Sequence, residues 1–189
     1  LVYYITASYI KFAYQHHTQS IQQLAYLEIN DLVEDLRSSS LELAMAIEHE
    51  HEYLGDFKNN RVDNLTQQLN NQFYQYFVTA GVLKLLKVYV LDTELTLHSV
   101  STKGLDTEVN NELICPRFSQ SIQIKTGADR LKVVSGMCSY NDHPVFTTIV
   151  PFGGLNPQGY LQIITDLAYG LKKIKQSLAM PVEIYSLNE

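Results

Sequence analysis

Polar side chains recur on one face of a strand-like segment late in the chain. In Gly159 to Asp166 every second side chain shares a face, which groups Tyr160, Gln162, Ile164 and Asp166. This face combines a hydroxyl, an amide and a carboxylate, and a few such groups among apolar side chains orient small molecules in binding sites. We therefore predict that Tyr160, Gln162 and Asp166 contribute to a ligand site.

A tyrosine and two arginines elsewhere in the chain could complete this site. Tyr140 ends the strand-like segment 131–140, and Arg117 and Arg130 lie in the segments before it. A guanidinium group binds carboxylates through two parallel hydrogen bonds. We predict that Tyr140 serves as a hydrogen-bonding group, Asp166 as an anion and Arg117 as a cation for a small polar metabolite.

Each of these three residues also has a structural explanation. Asp166 directly precedes a predicted helix, where aspartate is a preferred N-cap. Tyr140 could be a half-buried core residue, and Arg117 a solvated charge that follows Pro116. The sequence leaves both interpretations open.

The histidines give no comparable signal. In the run His49-Glu50-His51-Glu52 the histidines are two residues apart, and on a helix such side chains point about 200° away from each other. A zinc pair needs a spacing of four, as in HExxH. Phosphate-loop and nucleophile motifs are also missing, so we expect neither catalysis nor a cofactor. In a less favoured reading as a haem- or flavin-binding domain, His98 or His143 would be an axial ligand.

The two cysteines, Cys115 and Cys138, could form a disulfide in an oxidising compartment. Such a bond would close a loop of about 24 residues and would stabilise the fold by roughly 3 kcal/mol in the chain-entropy picture. Two buried thiols are the alternative.

A long amphipathic helix is predicted over about residues 18–52, ending at Gly55. At 1.5 Å per residue it is too long for one small domain to bury, so part of it should project or pair with a second copy. Pairing would use the stripe of Ile29, Leu32, Leu36 and Leu43, although such a stripe more often makes contacts within a core. Before it, the apolar, tyrosine-rich segment 1–14 indicates either a membrane interface or a buried helix start.

In the rest of the chain, segments with the 3.6-residue period of a helix alternate with segments that have the two-residue period of a strand. We predict helices at about 61–79, 106–114, 118–124 and 167–178, and strands at about 82–91, 95–100, 131–140, 144–152 and 159–166, with a further strand after Pro181. In the second helix Leu65, Leu69, Phe73 and Phe77 share a face. We divide the chain into a membrane-proximal helix (1–60), a body (61–180) and the start of a following strand or module (181–189).

The charge distribution limits the function. The chain has 20 acidic and 14 basic residues, and residues 1–60 carry the whole net charge of −6. Nucleic-acid surfaces need clustered lysine and arginine, so DNA and RNA are excluded as partners. There is no initiator methionine, signal peptide or long apolar run, which we interpret as the mark of an excised fragment.

Three segments carry a resemblance to a known family: LLKVYVLDTELTLHSVS, MCSYNDHPVFTTIVPF and GYLQIITDLAYGLKKI. Over about residues 18–178 the chain resembles the extracytoplasmic PAS-like sensor domain called Cache. That domain occurs in bacterial chemoreceptors, histidine kinases and enzymes of cyclic di-GMP metabolism. The sequence departs from the typical amine- and amino-acid-binding version, because it has no matching arginine and aromatic pair after the first helices.

The resemblance implies an α+β fold in which a long N-terminal helix packs on a five-stranded antiparallel sheet. It also implies a small ligand between the sheet and its loops, flanking membrane spans, and a periplasmic or extracellular position in an inner membrane protein. Any enzymatic output would lie in a cytoplasmic domain outside this chain. We further expect a homodimer through the N-terminal helix. The alternative is a ligand-free PAS-like domain for dimerisation or protein interaction.

Overall fold

The computed structural model describes residues 2–50, 52–75, 81, 83–105 and 113–178, and the side chains of residues 16–176 within these ranges. Most of the predicted helix at 106–114 and the predicted strand after Pro181 lie outside the described residues. Phe77 of the second predicted helix also lies outside them.

The N-terminal helix α1 runs from Val2 to Glu48 and includes the tyrosine-rich start of the chain. The predicted end at Gly55 is wrong, because Gly55 lies inside a second short helix, α2 (Tyr53–Lys58). The chain turns between them, at Glu52 with a left-handed φ of 80°. This turn allows Tyr53 to enter the core, where its ring packs edge-on against Phe152 at 5.4 Å.

Helix α3 (Val62–Asn71) continues into a single 3-10 turn (Gln72–Tyr74) and buries Leu65 and Leu69, as the periodicity predicted. The buried carboxylate of Asp56 in α2 joins the two helices. It accepts hydrogen bonds from side chains at the start and middle of α3, namely those of Arg61, Asn64 and Gln68. Burial of this carboxylate is compatible with folding because several donors replace its water shell.

The sheet has five antiparallel strands in the order β2-β1-β5-β4-β3. The strands are β1 (Leu85–Leu91), β2 (Leu97–Val100), β3 (Val134–Tyr140), β4 (His143–Phe152) and β5 (Gly159–Asp166). Between β2 and β3 lie α4 (Pro116–Gln123) and a 3-10 segment (Gly127–Leu131), and α5 (Leu167–Leu178) follows β5. The predicted α+β architecture is confirmed.

The second half of α1 belongs to the core on one face of the sheet. Leu36, Leu43 and Ile47 are buried there, together with strand residues such as Val88 and Ile163. Leu36 and Leu43 therefore make core contacts, the alternative to pairing, because the chain's own sheet and helices cover them. Helix α5 also packs on α1 so closely that a Cβ on Gly170 would lie 2.4 Å from a methyl carbon of Leu32.

The first half of α1 is different. From residue 16 to residue 31 its side chains are exposed or half-buried, so this part of the helix projects beyond the sheet. None of the helices in the described part of the chain combines the length and apolar character needed to cross a bilayer.

Candidate ligand site on the loop-side face of the sheet

The face of the sheet opposite α1, here called the loop-side face, is covered by α4 and the residues that precede it. Its buried side chains are Leu86, Tyr89, Leu91, Leu95, Ile114, Cys115, Ile122, Val145, Ile149, Tyr160 and Ile164. Helix α4 lies tightly on β3, because a Cβ on Gly136 would be 2.6 Å from the Phe118 ring. The covering is therefore packed against the sheet.

Four polar residues lie within this apolar face, and we call Tyr89, Thr147, Tyr160 and Gln162 the polar cluster. The register brings them together: Tyr89 on β1 pairs with Gln162 on β5, and Tyr160 is two residues from Gln162 on the same face. Thr147 reaches Gln162 from β4. All four are at most 2% exposed.

Gln162 has two hydrogen bonds through its amide nitrogen. Nε2 donates to the backbone carbonyl of Ile114 at 2.7 Å and to the Thr147 hydroxyl at 3.1 Å. The first bond links the centre of the sheet to the segment that covers it. The second fixes the amide against the neighbouring strand.

Three polar atoms of the cluster are buried and have no partner with hydrogen-bond geometry among the described residues. They are the hydroxyl oxygens of Tyr89 and Tyr160 and the amide oxygen Oε1 of Gln162. The Ile114 backbone amide lies close enough to the Tyr89 hydroxyl to lower its pKa. A buried polar atom without a partner costs about 1–3 kcal/mol, since water satisfied it before folding. A polar ligand that bonds to these atoms would recover this free energy.

The electrostatic environment keeps Tyr89 protonated. Burial raises the pKa of the Tyr89 hydroxyl, and the nearby Tyr140 raises it further, while the Ile114 backbone amide acts in the opposite direction. The hydroxyl is therefore neutral at physiological pH and remains available as both donor and acceptor.

A buried lysine lies on the same face. Lys87 on β1 pairs with Ile164 on β5, is 4% exposed, and its Nζ donates to the backbone carbonyl of Leu105 at 2.8 Å. The polar cluster thus has a buried lysine on its own face of the sheet.

The predicted site residues Tyr160, Gln162 and Tyr140 lie on the loop-side face. The first two belong to the polar cluster, and half-buried Tyr140 packs at its edge, close enough to affect Tyr89. The strand alternation thus grouped Tyr160 with Gln162 as the structure does.

Asp166 has other partners. Its carboxylate accepts a hydrogen bond from the Tyr169 backbone amide at 3.1 Å, which makes it the N-cap of α5. It also pairs with Lys84 at 2.8 Å and with His143 at 3.1 Å. Burial by itself would raise the pKa of Asp166, but the hydrogen bonds from Lys84 and Tyr169 and the charges of Lys84 and His143 lower it overall. Its predicted contact with a ligand stays a prediction.

The two arginines donate to backbone carbonyls, and the predicted role of Arg117 as a cation for a ligand stays a prediction. Arg117 is exposed on α4, stacks over the Phe118 ring at 4.9 Å and donates to the backbone carbonyl of Met137 on the edge strand β3. Arg130 donates to the backbone carbonyl of Thr93 at 2.6 Å. Both guanidinium groups therefore hold covering segments to the sheet, and neither has a hydrogen bond to the polar cluster.

Cys115 and Cys138 form a disulfide, with their Cα atoms 6.1 Å apart. Cys115 is the residue before α4, and Cys138 lies on β3. The bond thus joins the beginning of α4 to the edge of the sheet. Because Ile114 precedes Cys115, the disulfide also restrains the carbonyl that accepts the hydrogen bond from Gln162.

Sequence reasoning did not identify Tyr89, Thr147 or Lys87 as site residues. A weak signal existed in β1, where Lys87 and Tyr89 stand two apart in an otherwise apolar segment. A bulge between Leu85 and Lys87 obscures it, since it shifts the alternation and puts Leu86 and Lys87 on one face.

The strand order, the long first helix and the covered sheet face define a PAS-like α+β fold. No protein-family profile and no curated protein matches the chain. The extracellular domain of a protein described as a histidine kinase, vpHK1S-Z8, is similar over 83% of this chain and 59% of that chain, with 16% identity and a TM-score of 0.52. The predicted fold is thereby confirmed.

A domain of a protein described as a sensory box/GGDEF family member from Vibrio parahaemolyticus is also similar. This similarity covers 85% of this chain and 62% of that chain, with 15% identity and a TM-score of 0.46. The chain thus spans about three fifths of the length of both structures.

Proposed function

We propose that this chain is the extracytoplasmic sensor domain of a membrane-anchored signal transducer, and that it binds a small polar molecule at the polar cluster. The chain itself binds and does not catalyse. The output, whether a kinase, a cyclic di-GMP enzyme or a chemoreceptor module, would be cytoplasmic and would lie in another part of an inner membrane protein.

The observation that carries this proposal is the set of unsatisfied atoms on the loop-side face. Tyr160 and Gln162 lie side by side on one strand face, are fully buried, and each has a polar atom with no partner among the described residues. Such atoms are available to hydrogen-bond a ligand. The similarity to an extracellular domain in fold supports the extracytoplasmic position.

A continuous set of contacts could carry a change at this face to the N-terminal helix. Gln162 and Asp166 lie on the same strand, Asp166 caps α5, and α5 packs on α1 where Gly170 contacts Leu32. A ligand can move α1 along this route only if it binds the two arrangements of the domain with different affinities. The contacts thus provide the mechanical connection that a sensor needs.

The test measures the melting temperature of the 189-residue chain with a panel of amino acids, organic acids, amines, amides and polyols. A ligand that binds only the folded state raises the melting temperature by mass action. Tyr160→Phe should abolish the shift caused by an active compound, because it removes one of the unsatisfied hydroxyls. Tyr53→Phe is the matched control, since the Tyr53 hydroxyl is equally buried and unsatisfied but lies on the opposite side of the sheet.

Both variants should fold, because each removes a buried hydroxyl without a partner and keeps the ring. A compound that stabilises the wild type and Tyr53→Phe, but not Tyr160→Phe, supports the proposal. If no compound in the panel raises the melting temperature, or if both variants respond like the wild type, the proposal fails.

A second candidate function, self-association through α1, is favoured by a separate observation. The projecting part of α1 exposes four large apolar side chains, those of Leu24, Tyr26, Leu27 and Ile29. A projecting single helix gains little stability in water unless an apolar face is covered. We propose that a second copy of the chain covers this part of α1.

Light scattering over a range of concentrations tests this second candidate. Dimers that dissociate on dilution, and that are lost with Leu24→Glu and Leu27→Glu, would support it. Gln22→Glu is the control, because it adds a charge at an exposed polar position nearby. A chain that is monomeric at every concentration would exclude it.

A further inference from the structure

The orientation of the Gln162 amide follows from its partners. The Ile114 carbonyl can only accept a hydrogen bond, so the amide atom that faces it at 2.7 Å must be Nε2. The second hydrogen of Nε2 points to Thr147 Oγ1 at 3.1 Å. Both donors of the amide are therefore used, and its oxygen can only be the atom that remains.

The amide oxygen Oε1 of Gln162 determines which hydrogen-bonding group a ligand needs. Gln162 Oε1 is buried, has no partner in the described part of the chain and can only accept a hydrogen bond. The hydroxyls of Tyr89 and Tyr160 can either donate or accept. A ligand that satisfies all three atoms must thus bring at least one N–H or O–H donor to Gln162.

The burial of the polar cluster also limits the charge that a ligand can carry. A charged ligand group would lose most of its water shell at side chains that are at most 2% exposed. A carboxylate would have no proton to give to Gln162 and would place two acceptors against each other.

We infer that the polar cluster selects an uncharged ligand with an amide or hydroxyl donor, and that Gln162 discriminates against carboxylates. This inference rests on the proposed function, since it names the ligand class of the same site. A donor to Gln162 Oε1 with an acceptor beside it for a tyrosine hydroxyl is the pattern of a primary amide or an alcohol. The unpaired acceptor should weaken carboxylate binding about tenfold to a hundredfold relative to the matched amide.

The experiment compares two probes of nearly equal shape, propionamide and propionate, at neutral pH and constant ionic strength. Titration of the 189-residue chain, followed by its amide resonances, gives a dissociation constant for each probe. Propionamide should bind at least about tenfold more tightly than propionate. Tyr160→Phe should weaken propionamide binding, whereas Tyr53→Phe should leave it unchanged.

The outcomes separate the two proposals. If propionate binds as tightly as propionamide or more tightly, and Tyr160→Phe weakens it, the ligand class is overturned and the polar cluster remains a binding site. If no compound, including both probes, binds in a manner that depends on Tyr160, the proposed function and this inference both fail.

Discussion

Replacing Cys115 and Cys138 with alanine should lower the free energy of unfolding by about 3 kcal/mol. The disulfide joins residues 23 positions apart. The chain-entropy relation gives about 3.4 kcal/mol for a loop of this length at 25 °C, because the cross-link restricts the unfolded chain more than the folded one. In a chain of this size 1 kcal/mol corresponds to about 2–4 °C, so the melting temperature should fall by about 7–14 °C.

Circular dichroism melts of four samples measure this effect: the wild type and the double alanine variant, each with and without dithiothreitol. The reductant should lower the melting temperature of the wild type to that of the variant and should not affect the variant. The reasoning is refuted if the variant melts with the oxidised wild type. It is also refuted if the reductant destabilises both proteins equally, since its effect would then not involve this bond.

Two further predictions concern a buried carboxylate and a glycine. Because the pKa of Asp166 is lowered in the folded state, its ionised form stabilises the fold above the ordinary aspartate pKa, and this contribution disappears as the pH falls through the lowered value. Asp166→Asn keeps a capping oxygen but loses the ion pairs, so urea denaturation should show a loss of about 1–2 kcal/mol at neutral pH that vanishes in acid; a constant loss at every pH would contradict this. Gly104→Ala should cost at least about 3 kcal/mol, because at φ +92° its Cβ would lie 1.8 Å from the Leu86 carbonyl oxygen. Gly154→Ala, at φ +84° with no atom within 4 Å, should cost only about 1–2 kcal/mol in the same assay, and equal losses would be inconsistent with the contact.

Local signals in the sequence predicted the bounds of a strand or helix correctly where turn or capping residues stand at both of its ends. Strand β5 begins at Gly159 and ends at Asp166, and α5 runs from Leu167 to Leu178, all as predicted. A turn-rich connection precedes the strand, and the N-cap aspartate separates strand from helix. The same clear strand boundaries made the alternation reliable, so Tyr160 and Gln162 were placed on one face.

Other boundaries were misjudged because the deciding interactions are not visible in local patterns. Strand β2 begins at Leu97 and not at Leu95, because Asp92 accepts hydrogen bonds from the backbone amides of Glu94 and Thr96 and extends the turn. Leu95 has a φ of 62° in this turn, which excludes it from a strand. Leucine rarely adopts a positive φ, so the residue type does not predict this conformation.

By its own periodicity and composition, the sequence determined the long acidic helix, strand β5 with its side-chain alternation, and helix α5, since these depend on residues within one or two turns of each other. The α+β class came from the family resemblance. Tertiary structure alone decided that Tyr89 would stand opposite Gln162 and that α1 would end at Glu48. It also decided that Gln162 would donate a hydrogen bond to the backbone carbonyl of Ile114, which lies 48 positions earlier in the chain. Strand register and covering segments join distant parts of the chain, and the partner of each polar atom is fixed only when those parts pack together.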